Sequence, residues 1–152
     1  MRAAHVKGFT LIELMVVLSI LAILAGLAAP SMSKLVATQR LRSAAGDLHL
    51  TLVKARSEAV KRNKDVTISP EAGSWANGWS ILDPDGGVAL DVRGPTSSVT
   101  VTTSATSVIF RSTGRASAAV PQFVFSSSRT DVVRCISADP SGRPYVKEGS
   151  SC

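Results

Sequence analysis

The chain has few of the side chains that usually carry out catalysis. It contains two histidines and two cysteines, and aromatic residues make up 5% of its 152 residues. No nucleophile motif lies near His49, so the sequence does not support a Ser-His-Asp or Cys-His arrangement. It also lacks the GxxxxGK[ST] phosphate loop and the GxGxxG dinucleotide fingerprint. We therefore expect neither an enzyme nor a bound cofactor.

The two cysteines, Cys135 and Cys152, do not have the CxxC spacing of a metal site, and His5 and His49 are the only imidazoles. We expect no metal centre. If the C-terminal part of the chain lies outside the cytoplasm, the cysteines can pair and close a loop that contributes about 3 kcal/mol in the chain-entropy model. Two free buried thiols are the alternative.

Acidic residues are fewer than basic ones, and the formal net charge is +6. Attraction to polyanions such as nucleic acid is one interpretation of this excess. A solvated basic surface is the other, because many ordinary protein surfaces carry a similar charge.

One long apolar segment covers residues 9–29, where Glu13 is the only charged side chain. Its 21 residues would span roughly 30 Å as a helix, which is the thickness of the hydrocarbon core of a bilayer. Arg2 and Lys7 precede it, and the positive-inside rule places them in the cytoplasm. The sequence thus predicts a single-pass inner-membrane protein whose remaining residues lie in the periplasm.

A cleaved secretory signal would share the basic start and the apolar run, but two features argue against it. Pro30 follows the best small-residue cleavage point, where proline is poorly accepted. Glu13 lies inside the apolar run, where a carboxylate costs about 2.5 to 3.5 kcal/mol near a helix centre. We expect that another group neutralises Glu13.

Residues 30–63 have the period of an amphipathic helix that ends at Asn63. Its predicted buried stripe consists of Leu41, Ala44, Ala45, Leu48, Leu52, Ala55 and Ala59. Beyond it, short β-like runs alternate with turn residues. The predicted strands cover residues 66–69, 79–82, 88–92, 99–103, 107–110, 123–125 and 132–137. A long helix packed on an antiparallel sheet, an α+β fold, is predicted.

The sequence Lys-Gly-Phe-Thr-Leu-Ile-Glu-Leu-Met at residues 7–15 resembles the N-terminal signature of type IV prepilins and type II secretion pseudopilins. The resemblance implies that a prepilin peptidase cleaves between Gly8 and Phe9 and that the new amine of Phe9 is N-methylated. It also implies that Glu13 compensates the N-terminal amine of a neighbouring subunit during assembly.

Three further patterns lie at residues 75–79, 109–115 and 136–146, and together with the signature they resemble the GspH/FimT family of minor pilins and pseudopilins. The resemblance implies a pilin-like fold. Four segments are then expected: a leader peptide at residues 1–8, a transmembrane and assembly helix at 9–29, an amphipathic helix at 30–63 and a β-rich periplasmic domain at 64–152.

The implied function is that of a minor pilin, which joins other major and minor pilins and helps to initiate or cap a type IV pilus. A GspH-like minor pseudopilin of a type II secretion system is the alternative. The two tryptophans, Trp75 and Trp79, could form a base-stacking platform or, as we expect, anchor a loop to the core.

Some FimT-like proteins bind DNA without sequence preference during natural transformation, through a C-terminal Gly-Arg-x-Arg pattern. Here Arg143 matches the first arginine, and Tyr145 stands in place of the second. The candidate DNA contacts are Arg129, Arg134, Arg143 and Lys147. A solvated basic tail is the alternative.

Overall fold

The computed structural model describes the backbone of residues 9–152 and the side chains of residues 9–26 and 31–152. In these residues one long helix precedes eight short strands. The elements are α1 (Leu11–Arg62), β1 (Val66–Pro70), β2 (Trp79–Ile81), β3 (Asp91–Arg93), β4 (Thr100–Thr102), β5 (Val108–Phe110), β6 (Phe123–Ser127), β7 (Thr130–Ala138) and β8 (Pro144–Glu148). Two single 3-10 turns, Glu71–Gly73 and Trp75–Asn77, connect β1 to β2.

Local sequence sets both ends of α1. At the start, the Thr10 hydroxyl accepts a hydrogen bond from the Glu13 N–H at 3.3 Å, and the Glu13 carboxylate accepts one from the Thr10 N–H at 2.9 Å. This reciprocal pair is a capping box. At the end, Asn63 adopts a left-handed conformation with φ of 51°, and its N–H donates to the Val60 carbonyl at 3.3 Å. The predicted end of the helix is confirmed.

α1 bends over the stretch that contains Pro30. Its two parts, Leu11–Gly26 and Ser31–Arg62, meet at 43°. Proline has no N–H to donate to the preceding turn, which is a common cause of a helix bend. In the described part of the chain, neither part alone is long and apolar enough to cross a membrane. By length and composition, only the two parts together, as a bent pair, would suffice.

The second part of α1 supplies one side of the core. All seven residues of the predicted stripe are buried, from Leu41 to Ala59. The buried Thr51 donates its hydroxyl to the Asp47 carbonyl at 2.8 Å, so its polar atom is satisfied within the helix. The helical period therefore identified the face that packs on the sheets.

The strands form two antiparallel sheets rather than the single sheet expected. Their orders are β3-β2-β1-β5 and β4-β6-β7-β8. The chain changes sheet between β3 and β4, between β4 and β5, and again between β5 and β6. Two of the pairings, β1 with β5 and β4 with β6, join strands that are not consecutive in the chain, so alternation within each strand did not reveal them.

Two strand assignments need correction. The strand expected at residues 88–92 is reduced to Asp91–Arg93, and Val88 is 89% exposed. Ion pairs hold the preceding loop against the end of α1, so only three residues of β3 pair with β2. The structure also contains β8, which was not predicted and which pairs with β7 from Ala138–Pro144 to Arg134–Glu148.

Trp75 and Trp79 are buried, which confirms that they anchor a loop to the core. The Trp79 indole N–H donates to the Thr51 hydroxyl at 2.9 Å, and the Trp75 indole N–H donates to the Ala105 carbonyl at 2.7 Å. The Trp75 ring also meets Phe123 edge-on, with 4.7 Å between ring centroids. Neither ring is available to stack on a base.

The structure pairs Cys135 with Cys152 in a disulfide, with 5.5 Å between the Cα atoms. Cys135 lies in β7 and is completely buried, whereas Cys152 follows β8. The bond therefore fixes the C-terminus against the face of the sheet that carries Cys135.

Candidate functional site

The first part of α1, Leu11–Gly26, is an apolar arm with no buried side chain. Its large apolar residues up to Leu24 are between 45% and 79% exposed. Soluble monomers rarely expose a continuous apolar patch larger than a few hundred Å², and a larger patch marks a membrane or protein contact. The apolar arm is therefore built to be covered by lipid or by other apolar helices.

Two polar side chains of the apolar arm find partners within the arm or at the Thr10 cap that precedes it. The Glu13 carboxylate accepts hydrogen bonds from the N–H and the hydroxyl of Thr10, at 2.9 and 3.0 Å. The Ser19 hydroxyl donates to the Met15 carbonyl at 2.8 Å. These bonds satisfy polar atoms but leave the Glu13 charge without a cationic partner in the described residues, as the sequence suggested.

The predicted cleavage site lies between Gly8 and Phe9, just before the apolar arm. Phe9 is 84% exposed and directly precedes the Thr10 cap. Gly8 lies outside the described residues.

The structure does not bring the four candidate DNA contacts together. Arg129 precedes β7, and Arg143 lies in the turn after it. Since β7 has nine residues and a strand rises about 3.4 Å per residue, the two arginines are separated by roughly 30 Å. Both are exposed, and neither forms an ion pair in the described residues.

The remaining two candidates have partners. Arg134 forms an ion pair with Glu148 at 2.7 Å, and its side chain is 19% exposed. Lys147 donates to the Cys152 backbone carbonyl and lies over the Tyr145 ring, 5.3 Å from its centroid. Tyr145 is thus already covered by a cation from its own strand.

The turn that carries Arg143 is held by Asp139. One oxygen of the Asp139 carboxylate accepts hydrogen bonds from the Ser141 N–H at 2.9 Å, the Ser141 hydroxyl at 2.6 Å and the Arg143 N–H at 3.0 Å. The Ser141 hydroxyl bond is the largest cause that lowers the pKa of this carboxyl group, followed by the Arg143 N–H bond. The turn therefore has a fixed shape at neutral pH.

A second turn, which connects β5 to the following loop, packs directly on the Asp139 turn. It is closed by the Arg111 N–H, which donates to the Arg115 carbonyl at 2.8 Å. The approach requires glycine at Gly142, because a Cβ atom there would lie 2.4 Å from the Gly114 carbonyl oxygen. The turn that carries Arg111 and Arg115, which were not among the candidates from the sequence, thus packs against the turn that carries Arg143.

Asp83 and Asp85 take part in ion pairs at the end of α1. Arg62 binds Asp83 at 3.1 Å, and Lys64 binds Asp85. The hydrogen bond from Lys64 is the main cause that lowers the pKa of Asp85. Among the described residues, no group of three or more His, Cys, Asp or Glu side chains is placed to hold a metal ion.

A capped apolar helix that continues into the core of an antiparallel β-domain defines a pilin-like protein. A family model described as Type II transport protein GspH matches residues 44–142, and one for the prokaryotic N-terminal methylation motif matches residues 4–29. The chain belongs to the GspH family. Its members are structural subunits rather than enzymes, so this chain is a minor pilin or pseudopilin that is processed by prepilin peptidase and assembles with other pilins.

Two crystal structures of the type IV minor pilin FimU from Pseudomonas aeruginosa have a similar fold. Both are 25% identical to this chain, with TM-scores of 0.61 and 0.64. The matches cover 73% and 76% of this chain, and 98% and 96% of the FimU chains. No curated protein sequence is significantly similar to this chain.

Proposed function

We propose that this protein is a minor subunit of a type IV pilus, which helps to initiate or cap the filament. The apolar arm is the observation that carries the proposal, because it presents one exposed apolar surface on all sides. A membrane covers this surface before assembly, and the helices of other pilins cover it in the filament. The similarity to FimU, a type IV minor pilin, supports the pilus as the destination.

The maturation steps follow from the N-terminal motif. Residues 1–8 act as the leader, prepilin peptidase cuts between Gly8 and Phe9, and the Phe9 amine is methylated. Residues 9–29 anchor the chain in the inner membrane, with residues 30–63 and 64–152 in the periplasm. The Cys135–Cys152 disulfide supports this placement, since disulfides persist in the periplasm and are rare in the cytoplasm.

A minor pseudopilin of a type II secretion system is the second candidate. The description of the matching family model, Type II transport protein GspH, favours it. Both machines use the same N-terminal signature, so the apolar arm serves assembly equally well in either.

Sequence-independent DNA binding is a further proposed activity of the periplasmic domain. The exposed Arg143 supports it, because its side chain forms no ion pair in the described residues and stands on a rigid turn. Arg129 could add a contact only at the opposite end of β7. Because Arg134 and Lys147 are engaged with neighbours, they are weaker candidates than the sequence suggested.

The assembly role of Glu13 can be separated from its role in capping α1. Glutamine fits the same position of a capping box, so Glu13→Gln keeps the cap and removes the charge. We expect the variant to be processed and inserted in the membrane, but to be depleted at least about tenfold from sheared filaments. Removal of the carboxylate leaves the amine buried without a partner, which costs about 3 to 5 kcal/mol, and tenfold corresponds to about 1.4 kcal/mol.

The control for this test is Ser19→Ala, which removes the other polar side chain that bonds within the apolar arm. We expect it to enter filaments at the wild-type level. Quantitative immunoblots of membrane and filament fractions would compare the two variants. Incorporation of Glu13→Gln at the wild-type level would contradict the proposed role of the charge.

A further inference from the structure

Four arginines belong to segments that the fold brings together at one end of the domain, although these segments come from three distant parts of the chain. Arg111 and Arg115 lie at the two ends of the turn after β5, and Arg143 lies in the turn packed against it. Arg56 reaches them from α1, because its Nε atom lies 3.4 Å from the point that a Cβ atom on Gly114 would occupy. We call Arg56, Arg111, Arg115 and Arg143 the arginine cluster.

The four guanidinium groups of the arginine cluster have no bonded acidic partner among the described residues. None of the four guanidinium groups forms a hydrogen bond or an ion pair within the described part of the chain. The nearby Asp139 offsets part of their charge, because its carboxylate interacts electrostatically with Arg143, although its hydrogen bonds come from Ser141 and from the Arg143 N–H. The nearby Asp65 accepts a hydrogen bond from the Ser112 N–H at 3.2 Å. By contrast, Arg62 and Arg134 are each paired with a carboxylate.

The arginine cluster lies far from the apolar arm. Arg56 follows Ser31 by 25 residues of continuous helix, which corresponds to roughly 38 Å along α1. A headgroup of the membrane that holds the apolar arm is therefore out of reach. This end of the domain therefore lies outside the contact that would bury the apolar arm in a filament.

We infer that the arginine cluster is a docking surface for the phosphate backbone of nucleic acid. This inference rests on the proposed DNA binding. It places the DNA contacts on two packed turns and α1 rather than along the C-terminal strands. Guanidinium groups bind phosphate oxygens through paired N–H donors, and several of them on rigid turns can contact successive phosphates. Such contacts position a duplex without reading its sequence.

The surface around the arginine cluster fits a nucleic acid better than a protein partner. Protein interfaces usually contain a central apolar or aromatic anchor. Most exposed neighbours here are small or polar, namely Thr113, Ala118, Ala119, Pro140 and Ser141. Val60, which is 54% exposed, adds an aliphatic side chain beside Gly114. Charge complementarity without an aromatic anchor is typical of contact with a phosphate backbone.

The test compares two double variants that change the net charge equally. R111Q/R115Q neutralises two exposed members of the arginine cluster, whereas R40Q/R42Q neutralises two exposed arginines of α1 that form no ion pair in the described residues. Each full-length chain is purified in uncharged detergent. Fluorescence anisotropy then measures its binding to a labelled DNA duplex between roughly 50 and 200 mM salt.

We expect R111Q/R115Q to raise the Kd at least about tenfold and to lower the slope of log K against log salt by about 1.8, which corresponds to two lost phosphate contacts. R40Q/R42Q should change the Kd less than about twofold. A thermal melt of each variant, with a midpoint equal to that of the wild type, controls for folding.

Three results would overturn the inference. An equal loss of DNA affinity in both variants would show that only net charge matters. DNA binding would then be supported, but the arginine cluster would not be its docking surface. Binding of polyglutamate as tight as binding of DNA at the same salt would assign the surface to an acidic protein. No binding of DNA by the wild type at low salt would remove both the docking surface and the proposed DNA binding, and would leave the pilin assignment intact.

Discussion

Replacing Gly8 by valine is expected to abolish processing of the chain and, with it, entry into filaments. A residue without a side chain lets the backbone pass into a narrow protease site, and the branched valine would block it. The matched N-terminal methylation motif, residues 4–29, contains this position. The precursor should keep its eight leader residues and lack N-methylated Phe9, which intact-mass measurement of the membrane fraction would show directly.

Ala4→Val supplies the control for Gly8→Val, because it introduces the same side chain into the leader four residues before Gly8. It should be processed like the wild type. Normal cleavage of Gly8→Val in the same cells would contradict the assignment of the cleavage site. It would also count against the interpretation of residues 7–15 as a prepilin signature.

Replacing Trp79 by alanine is expected to lower the free energy of unfolding of the domain by about 3 to 5 kcal/mol. The ring is 1% exposed and lies 6.3 Å from the Trp75 ring, centroid to centroid. Its removal leaves a large cavity between α1 and β2 and takes away the indole donor that binds the Thr51 hydroxyl. Denaturant titration of the full chain in uncharged detergent, followed by the fluorescence of Trp75, measures the change.

Val92→Ala is the matched control for the core prediction. Val92 lies in β3, which pairs with β2, but its side chain is 61% exposed. Its truncation should cost less than about 0.5 kcal/mol. A loss below about 1 kcal/mol for Trp79→Ala would show that the packing of Trp79 does not hold α1 to the sheet, contrary to its burial in the structure.

Much of α1 could be predicted from the sequence because helical structure depends on neighbours in the chain. The spacing of Leu41, Leu48 and Leu52 fixed the buried face, and Asn63 marked the end. The Thr10–Glu13 capping box can also be read from the sequence spacing, although only the charge of Glu13 was used. The side chain of Glu13 caps α1, and we propose that its charge pairs with a cation of another subunit.

The pairing of strands could not be predicted in the same way. β8 begins with Pro144 and contains Lys147 and Glu148, so its sequence resembles a solvated tail. Its place at the edge of a sheet explains this composition, because proline at the start of an edge strand and charged side chains are tolerated there. β8 forms because it pairs with β7 in the folded chain, and its own sequence does not indicate that pairing.

The same reason explains which part of the candidate site was missed. In the sequence, the cations close to Arg143 are Arg129, Arg134 and Lys147, which were therefore the other candidates. The fold instead joins Arg143 to Arg111 and Arg115, because Gly114 and Gly142 allow two turns to meet. Two basic residues in the Phe110–Ala116 stretch were visible in the sequence. Only the contact between the two turns shows that they lie near the turn of Arg143.

The most direct test of the pilin assignment is mass spectrometry of filaments sheared from cells that produce the wild-type chain. We expect peptides of this chain to occur as a minor component of type IV pili and the N-terminal peptide to begin with N-methylated Phe9. Filaments that contain the major pilin but no peptide of this chain, while the chain is abundant in the membrane, would contradict the proposal that it is a pilus subunit.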